Sequence, residues 1–177
     1  NDFDIRANAL VCGLKQEPIQ KLQKLLPLFD KIPDEHLVGF DMAGDELNYP
    51  QEKFVDLIHD VKIKGVNVTL HAGECPACEQ NILDSIAMGA SRIGHGIMTK
   101  NLSEAEQKMM IEKQIVLEMA PTSNFQTKAV TELAQYPFKE LYDKGIHVTL
   151  NTDNRMVSAT NLSKEYEKIS AWYPDFS

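Results

Sequence analysis

The chain has no apolar run near the roughly 20 residues that span a bilayer. Its start, Asn1-Asp2-Phe3-Asp4, lacks the basic stretch and apolar core of an export signal. A cytoplasmic protein with no membrane partner is expected. There is no block of Lys or Arg either, and the formal net charge is −8. Phosphate backbones and anionic lipid surfaces need clustered positive charge, so nucleic acid is excluded and a small neutral or cationic ligand fits better. Cysteine is scarce: Cys12, Cys75 and Cys78 are odd in number and spaced unlike a disulfide framework, so reduced thiols are expected. No linker, low-complexity segment or internal repeat divides the 177 residues, a length that suits one domain better than two.

What is present is ordinary globular composition, 43% hydrophobic and 25% charged. Short β-rich runs at Ala7–Leu14, Leu37–Met42, Val66–Leu70, Arg92–Gly94, Ile115–Met119 and His147–Leu150 alternate with helical patterns. That alternation predicts parallel strands joined by crossover helices. Ile19, Leu22, Leu25, Leu26 and Phe29 share one helical face, with Pro27 kinking or ending that helix. Phe54, Leu57, Ile58 and Val61 form a second face, Ile82, Leu83 and Ile86 a third. Ser103 and Glu106 form a capping box, and Leu162, Tyr166, Ile169 and Trp172 or Tyr173 mark the last helix.

Ligand-type side chains cluster at the carboxyl ends of the strands: Asp41 and Asp45, His71 and Glu74, His95, Ser123 and Asn124, Asp153 and Asn154. Successive groups lie about 24 to 32 residues apart, one strand-helix unit each. A (β/α)8 barrel puts its chemistry at that face. An open doubly wound sheet shares the alternation but binds at one switch point, not at five strand ends. The barrel is therefore expected.

Neutral imidazole and carboxylate are divalent-metal ligands, and a catalytic centre needs three or four with one position open for water. His71, His95 and Asp153 are of that type, and Glu74 on the His71 loop is placed as a proton donor or acceptor. A strand-end histidine is equally a hydrogen-bonded turn residue, so spacing alone leaves both readings open. Asp41 is equally a structural strand-end residue and a ligand contact. Pro121 to Asn124 read as pocket wall. His36 and His59 read as surface or packing residues, and His147 starts a strand at the end opposite the chemistry. Met109 and Met110 read as core filling.

The order of five motifs adds to this. Gly39-Phe40-Asp41-Met42-Ala43-Gly44-Asp45-Glu46, His71-Ala72-Gly73-Glu74, Arg92-Ile93-Gly94-His95-Gly96, Met119-Ala120-Pro121-Thr122-Ser123-Asn124 and Leu150-Asn151-Thr152-Asp153 together resemble the adenosine deaminase family. The resemblance runs from about Ile5 to Tyr166. It implies a zinc-dependent (β/α)8 hydrolase of the amidohydrolase superfamily in purine salvage, one Zn2+ per site, deaminating adenosine and deoxyadenosine to inosine and ammonia. By motif, His71 and Asp153 are zinc ligands, Glu74 is the carboxyl beside purine N1, and His95 holds the attacking water. Gly44 offers a backbone amide to purine N3. Asn154 stands where many members carry a second aspartate that contacts purine N7. Sister activities on adenine, AMP or an N6-substituted purine, and a non-catalytic scaffold, are the alternatives.

Two features depart from the family. It opens its barrel with a His-x-His pair supplying two further zinc ligands, and His36, His59, His71, His95 and His147 include no two spaced that way. Six strands are read, not eight. The expectation is a single partial (β/α)8 domain over residues 1–177, lacking the first two strands and the closing helices of a longer enzyme. Cys75-Pro76-Ala77-Cys78 invites a zinc-knuckle or redox reading, and also a cytidine-deaminase signature of His-x-Glu with Pro-Cys-x-x-Cys. The His-x-x-Glu spacing and the missing second Cys pair fit neither, so both cysteines read as loop and helix-start residues.

Overall fold

A computed structural model describes residues 7–32 and 36–176; Ile5, where the resemblance begins, lies outside the described residues. The order is β1 (Ala9–Leu14), α1 (Ile19–Gln23), β2 (Leu37–Ala43), α2 (Val55–Ile63), β3 (Asn67–Ala72), α3 (Glu79–Ala87), β4 (Arg92–His95), α4 (Glu104–Glu112), β5 (Val116–Met119), α5 (Pro121–Gln126), α6 (Phe138–Asp143), β6 (His147–Leu150), α7 (Arg155–Ser158) and α8 (Leu162–Trp172). Among the described residues the strands form one six-stranded sheet in the order β1-β2-β3-β4-β5-β6. Every pairing is parallel. A parallel pair needs a crossover, and the helical segments between β1 and β6 supply them.

Because every strand lies beside its sequence neighbours, the order never reverses, and a doubly wound sheet has no switch point here. The fold is an arc of a (β/α)8 barrel. Its centre is tightly covered: Phe40, Met42, Leu70, Ile93, Leu117 and Met119 on the inner strands are fully buried. Its two ends are less so, with Leu10 and Leu14 of β1 exposed and β6 only partly covered.

The helix starting at Ile19 differs from expectation. α1 stops at Gln23, and a separate 3-10 turn spans Leu26–Asp30 with Pro27 in its first turn. Pro27 lacks the amide that a continuous α-helix would need. The apolar face survives the break, with Leu22 buried and Ile19, Leu25, Leu26 and Phe29 against the core. In α8 the expected face is also shifted: Leu162 and Tyr166 are exposed, while Glu165 and Ile169 are buried. Glu165 tolerates burial because Thr122 and Thr160 donate to its carboxylate. Met110 is buried and Met109 packs beside it.

The capping box forms as read. Glu106 N–H donates to Ser103 Oγ, and Ser103 N–H donates to Glu106 Oε2 at 2.7 Å. Ser103→Ala is expected to lower unfolding stability by about 1 kcal/mol, measurable by denaturant titration.

Candidate active site

Asp41 sits inside β2 as expected, and His71 and His95 sit inside the ends of β3 and β4 because those strands run two residues and one residue further than their sequence pattern indicates. In register, His71 lies beside Gly94 and Ala72 beside His95. His71 Nδ1 is 3.0 Å from Asp41 Oδ1. A carboxylate can only accept there, so Nδ1 carries a proton, and whenever the ring is neutral its lone pair is on Nε2. Burial opposes the His71 cation, but the Asp41 hydrogen bond and the nearby carboxylates outweigh it and raise its pKa. Lys15 Nζ donates to the His71 carbonyl at 2.7 Å and is itself buried.

Gly94 makes room for this ring: a Cβ there would lie 2.8 Å from His71 Nδ1. Gly94→Ala is expected to push the imidazole off Asp41 and lower metal affinity about 10- to 100-fold in a chelator competition assay.

His95 is 3% exposed and turns the chain with φ of 63°, followed by Gly96, also at 63°. Its Nδ1 lies 2.9 Å from Asn124 Nδ2, and its Nε2 lies 3.6 Å from Glu74 Oε2. Burial and then the charge of His71 push the His95 pKa down to about 4, so the ring is neutral at physiological pH. Glu74 Oε1 accepts from Thr127 Oγ1 at 3.2 Å. Burial is the main cause that raises the Glu74 carboxyl above the usual carboxylate range. Asp153 Oδ2 accepts from Ser123 Oγ at 2.7 Å. Burial works against its charge, but that hydrogen bond and the two imidazoles hold its pKa below the usual value.

Two cavities lie at this face, and the Glu74–His95 contact joins a residue of one to a residue of the other. One of about 360 Å³ is lined by His71, Gly94, His95, Glu118 and Asp153. The other, of about 330 Å³, is lined by Gly44, Glu46, Glu74, Cys75 and Thr127. The structure thus brings His71, His95 and Asp153 to one cavity with Glu74 touching His95, and Gly44 shares the other cavity with Glu74. Asn154 lines neither cavity: its Oδ1 accepts from the Met156 and Val157 amides and caps α7. Asp41 acts on His71, and Asp45 accepts from the Leu47 and Asn48 amides as a loop residue. His59 is exposed on α2, and His147 starts β6 away from these cavities.

Sequence reading missed Glu46. Its buried carboxylate accepts from Gly73 N at 2.8 Å, Glu74 N at 2.6 Å, Cys75 N at 3.0 Å and Asn81 Nδ2 at 3.0 Å. It lies inside a quoted motif, but nothing local in the sequence shows that it reaches the next strand's loop. Ser123 and Asn124, read as pocket wall, instead hydrogen-bond to Asp153 and His95.

The expectation of reduced thiols is corrected at one pair. Cys75 and Cys78 form a disulfide, their Cα atoms 5.6 Å apart across a turn in which Ala77 has φ of 61°. That turn brings together two side chains that spacing alone leaves apart. Cys78 is also the N-cap position of α3, the helix start that was read.

In kind, His71 Nε2 and the Asp153 carboxylate suit a hard-to-borderline divalent ion, and both face one cavity; in number they are two of the three or four donors a catalytic zinc takes. Among the described residues, Glu46, Cys75 and Cys78 also converge within 4.8 Å. That group is not a rival metal centre, since the Glu46 oxygens already accept four hydrogen bonds and the sulfurs are bonded to each other.

With this geometry in hand, comparison with known proteins is direct. A family profile described as adenosine deaminase matches residues 1–177. An adenosine deaminase of Lactococcus lactis is 99% identical over 100% of this chain and 50% of its own length. One from Enterococcus faecalis is 43% identical over 97% of this chain and 50% of its own. The crystal structure of an adenine deaminase from Arthrobacter aurescens superposes with a TM-score of 0.88 at 23% identity, covering 99% of this chain and 53% of that one. At that identity the likeness speaks to the fold. The chain spans about half the length of the curated relatives it matches.

Proposed function

The chain belongs to the adenosine deaminase family, and from that premise we propose that it carries half of the active site of a zinc-dependent enzyme deaminating adenosine and deoxyadenosine to inosine and ammonia. The observation that carries this reading is the meeting of a raised carboxyl, Glu74, with a buried imidazole, His95, which itself lines one cavity with His71 and Asp153. The partner is a small purine nucleoside and the setting cytoplasmic. Residues 1–177 are proposed as a single partial (β/α)8 domain, with the first two strands, their two histidine ligands and the closing helices contributed by the remaining length that the relatives show.

His71 and Asp153 would hold zinc, which when bound supplies a water acidic enough to ionise near neutral pH. His95 orients the attacking oxygen towards C6. Asp41 orients His71 through Nδ1, a duty that replaces the substrate contact considered for it. Glu74 holds its proton beside N1. As oxygen adds at C6, the C6–N1 double bond becomes single and N1 takes the Glu74 proton, so no bare charge builds on the ring. Gly44, whose φ of 109° suits glycine, leaves its amide open to N3. Asn154, whose oxygen caps α7 outside both cavities, keeps only its amide nitrogen for the N7 contact that the motif implies.

Turnover of adenosine, deoxyadenosine, adenine and AMP by the full-length, metal-loaded chain, followed by ultraviolet absorbance, tests the reading. Adenosine and deoxyadenosine are expected to be preferred. Preference for adenine or AMP would overturn the substrate, and no turnover of any would overturn the enzyme.

A further inference from the structure

We propose that Asn124 is a positioning residue that fixes His95 as the Nε2–H tautomer, making it a hydrogen-bond donor and not the base. Asn124 is completely buried on α5, and its Nδ2 lies 2.9 Å from His95 Nδ1. An amide nitrogen can only donate, so Nδ1 accepts and a neutral ring carries its proton on Nε2. Nε2 is the atom that faces Glu74 Oε2 at 3.6 Å.

On its other side the amide meets a hydroxyl, a group that can donate or accept. The Tyr136 hydroxyl, on a residue 3% exposed, donates towards Asn124 Oδ1 at 3.5 Å. Turning the amide over would present Oδ1 to Nδ1 and demand the opposite tautomer. Asn124 itself is held because α5 is anchored at its start, where the Thr122 amide donates to the buried Glu165 carboxylate at 3.0 Å. Val130 N–H donates to the Asn124 carbonyl at 3.2 Å and closes the far end. Tyr136 and Val130 thus meet Asn124, and Asn124 meets His95.

The catalytic consequence rests on the deaminase reading. With hydrogen on Nε2, His95 donates to the oxygen that adds at C6 and stabilises it as charge develops there. The proton of the attacking water then goes to a group other than His95, and the Asp153 carboxylate on the same cavity is placed to take it.

The test is long-range 1H–15N spectroscopy of the full-length, metal-loaded chain labelled with 15N-histidine, His95 being assigned from its loss in His95→Ala. The parent is expected to show Nε2–H at His95. In Asn124→Asp the carboxylate accepts instead, so Nδ1 is expected to become protonated and kcat to fall on the order of 10-fold or more with KM nearly unchanged. Asn124→Ala, which removes the donor, is expected to release the preference and populate both tautomers. Nδ1–H in the parent, or an Asn124→Asp variant with unchanged tautomer and kcat, would overturn the proposal. If Asn124→Asp does not fold, the parent and Asn124→Ala spectra decide. The spectra read the tautomer whether or not any purine is deaminated, so failure of this assignment is distinct from failure of the activity.

Discussion

Glu74→Gln in the full-length chain is expected to lower turnover of adenosine by about 10²- to 10⁴-fold, the usual contribution of one positioned proton donor, with KM little changed. Glutamine keeps an oxygen for Thr127 Oγ1 and matches the carboxyl in shape, so the loop stays in place. It cannot hand a proton to N1. The stability profile separates this from misfolding. Burial raises the Glu74 carboxyl, so the folded chain keeps this proton at pH values where the unfolded chain has released it. The stability this group contributes is full below the ordinary carboxylate pKa and is lost as pH rises through the raised folded value. Glu74→Gln removes that decline, so the variant at neutral pH is expected to be no less stable than its parent while turning over far more slowly. A variant near parental in rate would remove Glu74 from the chemistry.

Glu46→Ala is expected to produce the largest loss of stability of any single change near the site, about 3 kcal/mol or more. Each buried donor left without an acceptor costs about 1–3 kcal/mol, and Glu46 serves Gly73, Glu74, Cys75 and Asn81 at a position 5% exposed. Three of those donors are consecutive backbone amides of the loop that aims Glu74. Their release lets that loop relax, and a misplacement near 1 Å can cost about 10²-fold in rate. Denaturant unfolding and turnover should therefore fall together in Glu46→Ala. Glu46→Gln keeps one accepting oxygen and is expected to lie between variant and parent in both. Parental stability in Glu46→Ala would show that water takes over the acceptors and that the carboxylate is not what holds the loop.

The contrast between Glu74 and Glu46 shows where sequence reading succeeds and stops. Glu74 stands three residues from His71, on the loop into which β3 runs, and that spacing is visible in the chain. Glu46 reaches the Glu74 amide across 28 residues, and no local pattern encodes that distance. The same holds for Glu165, which interrupts an apolar face on α8 and reads as a solvent-facing acid until Thr122 and Thr160 meet it. Pro27 was recognised as a breaker because its missing amide is a local property, but how the chain resumes as a 3-10 turn follows from packing against the core. Cys75 and Cys78 needed the turn at Ala77 before their pairing became visible.

The sequence by itself determined the βα alternation, the parallel pairing it demands, the capping box of α4, and which strand ends carry His71, Glu74, His95 and Asp153. These follow from periodicity and from neighbours within a few residues, where steric and hydrogen-bonding preferences act over one turn or one strand. Only the tertiary structure decided who serves whom at those strand ends. Asp41 meets His71, Ser123 meets Asp153 and Asn124 meets His95 across separations of 30, 30 and 29 residues. Each gap is about one strand-helix unit, and parallel register converts that length into a contact of about 3 Å. Register is set by burial of whole strand faces, a property of the assembled sheet and not of any motif within it.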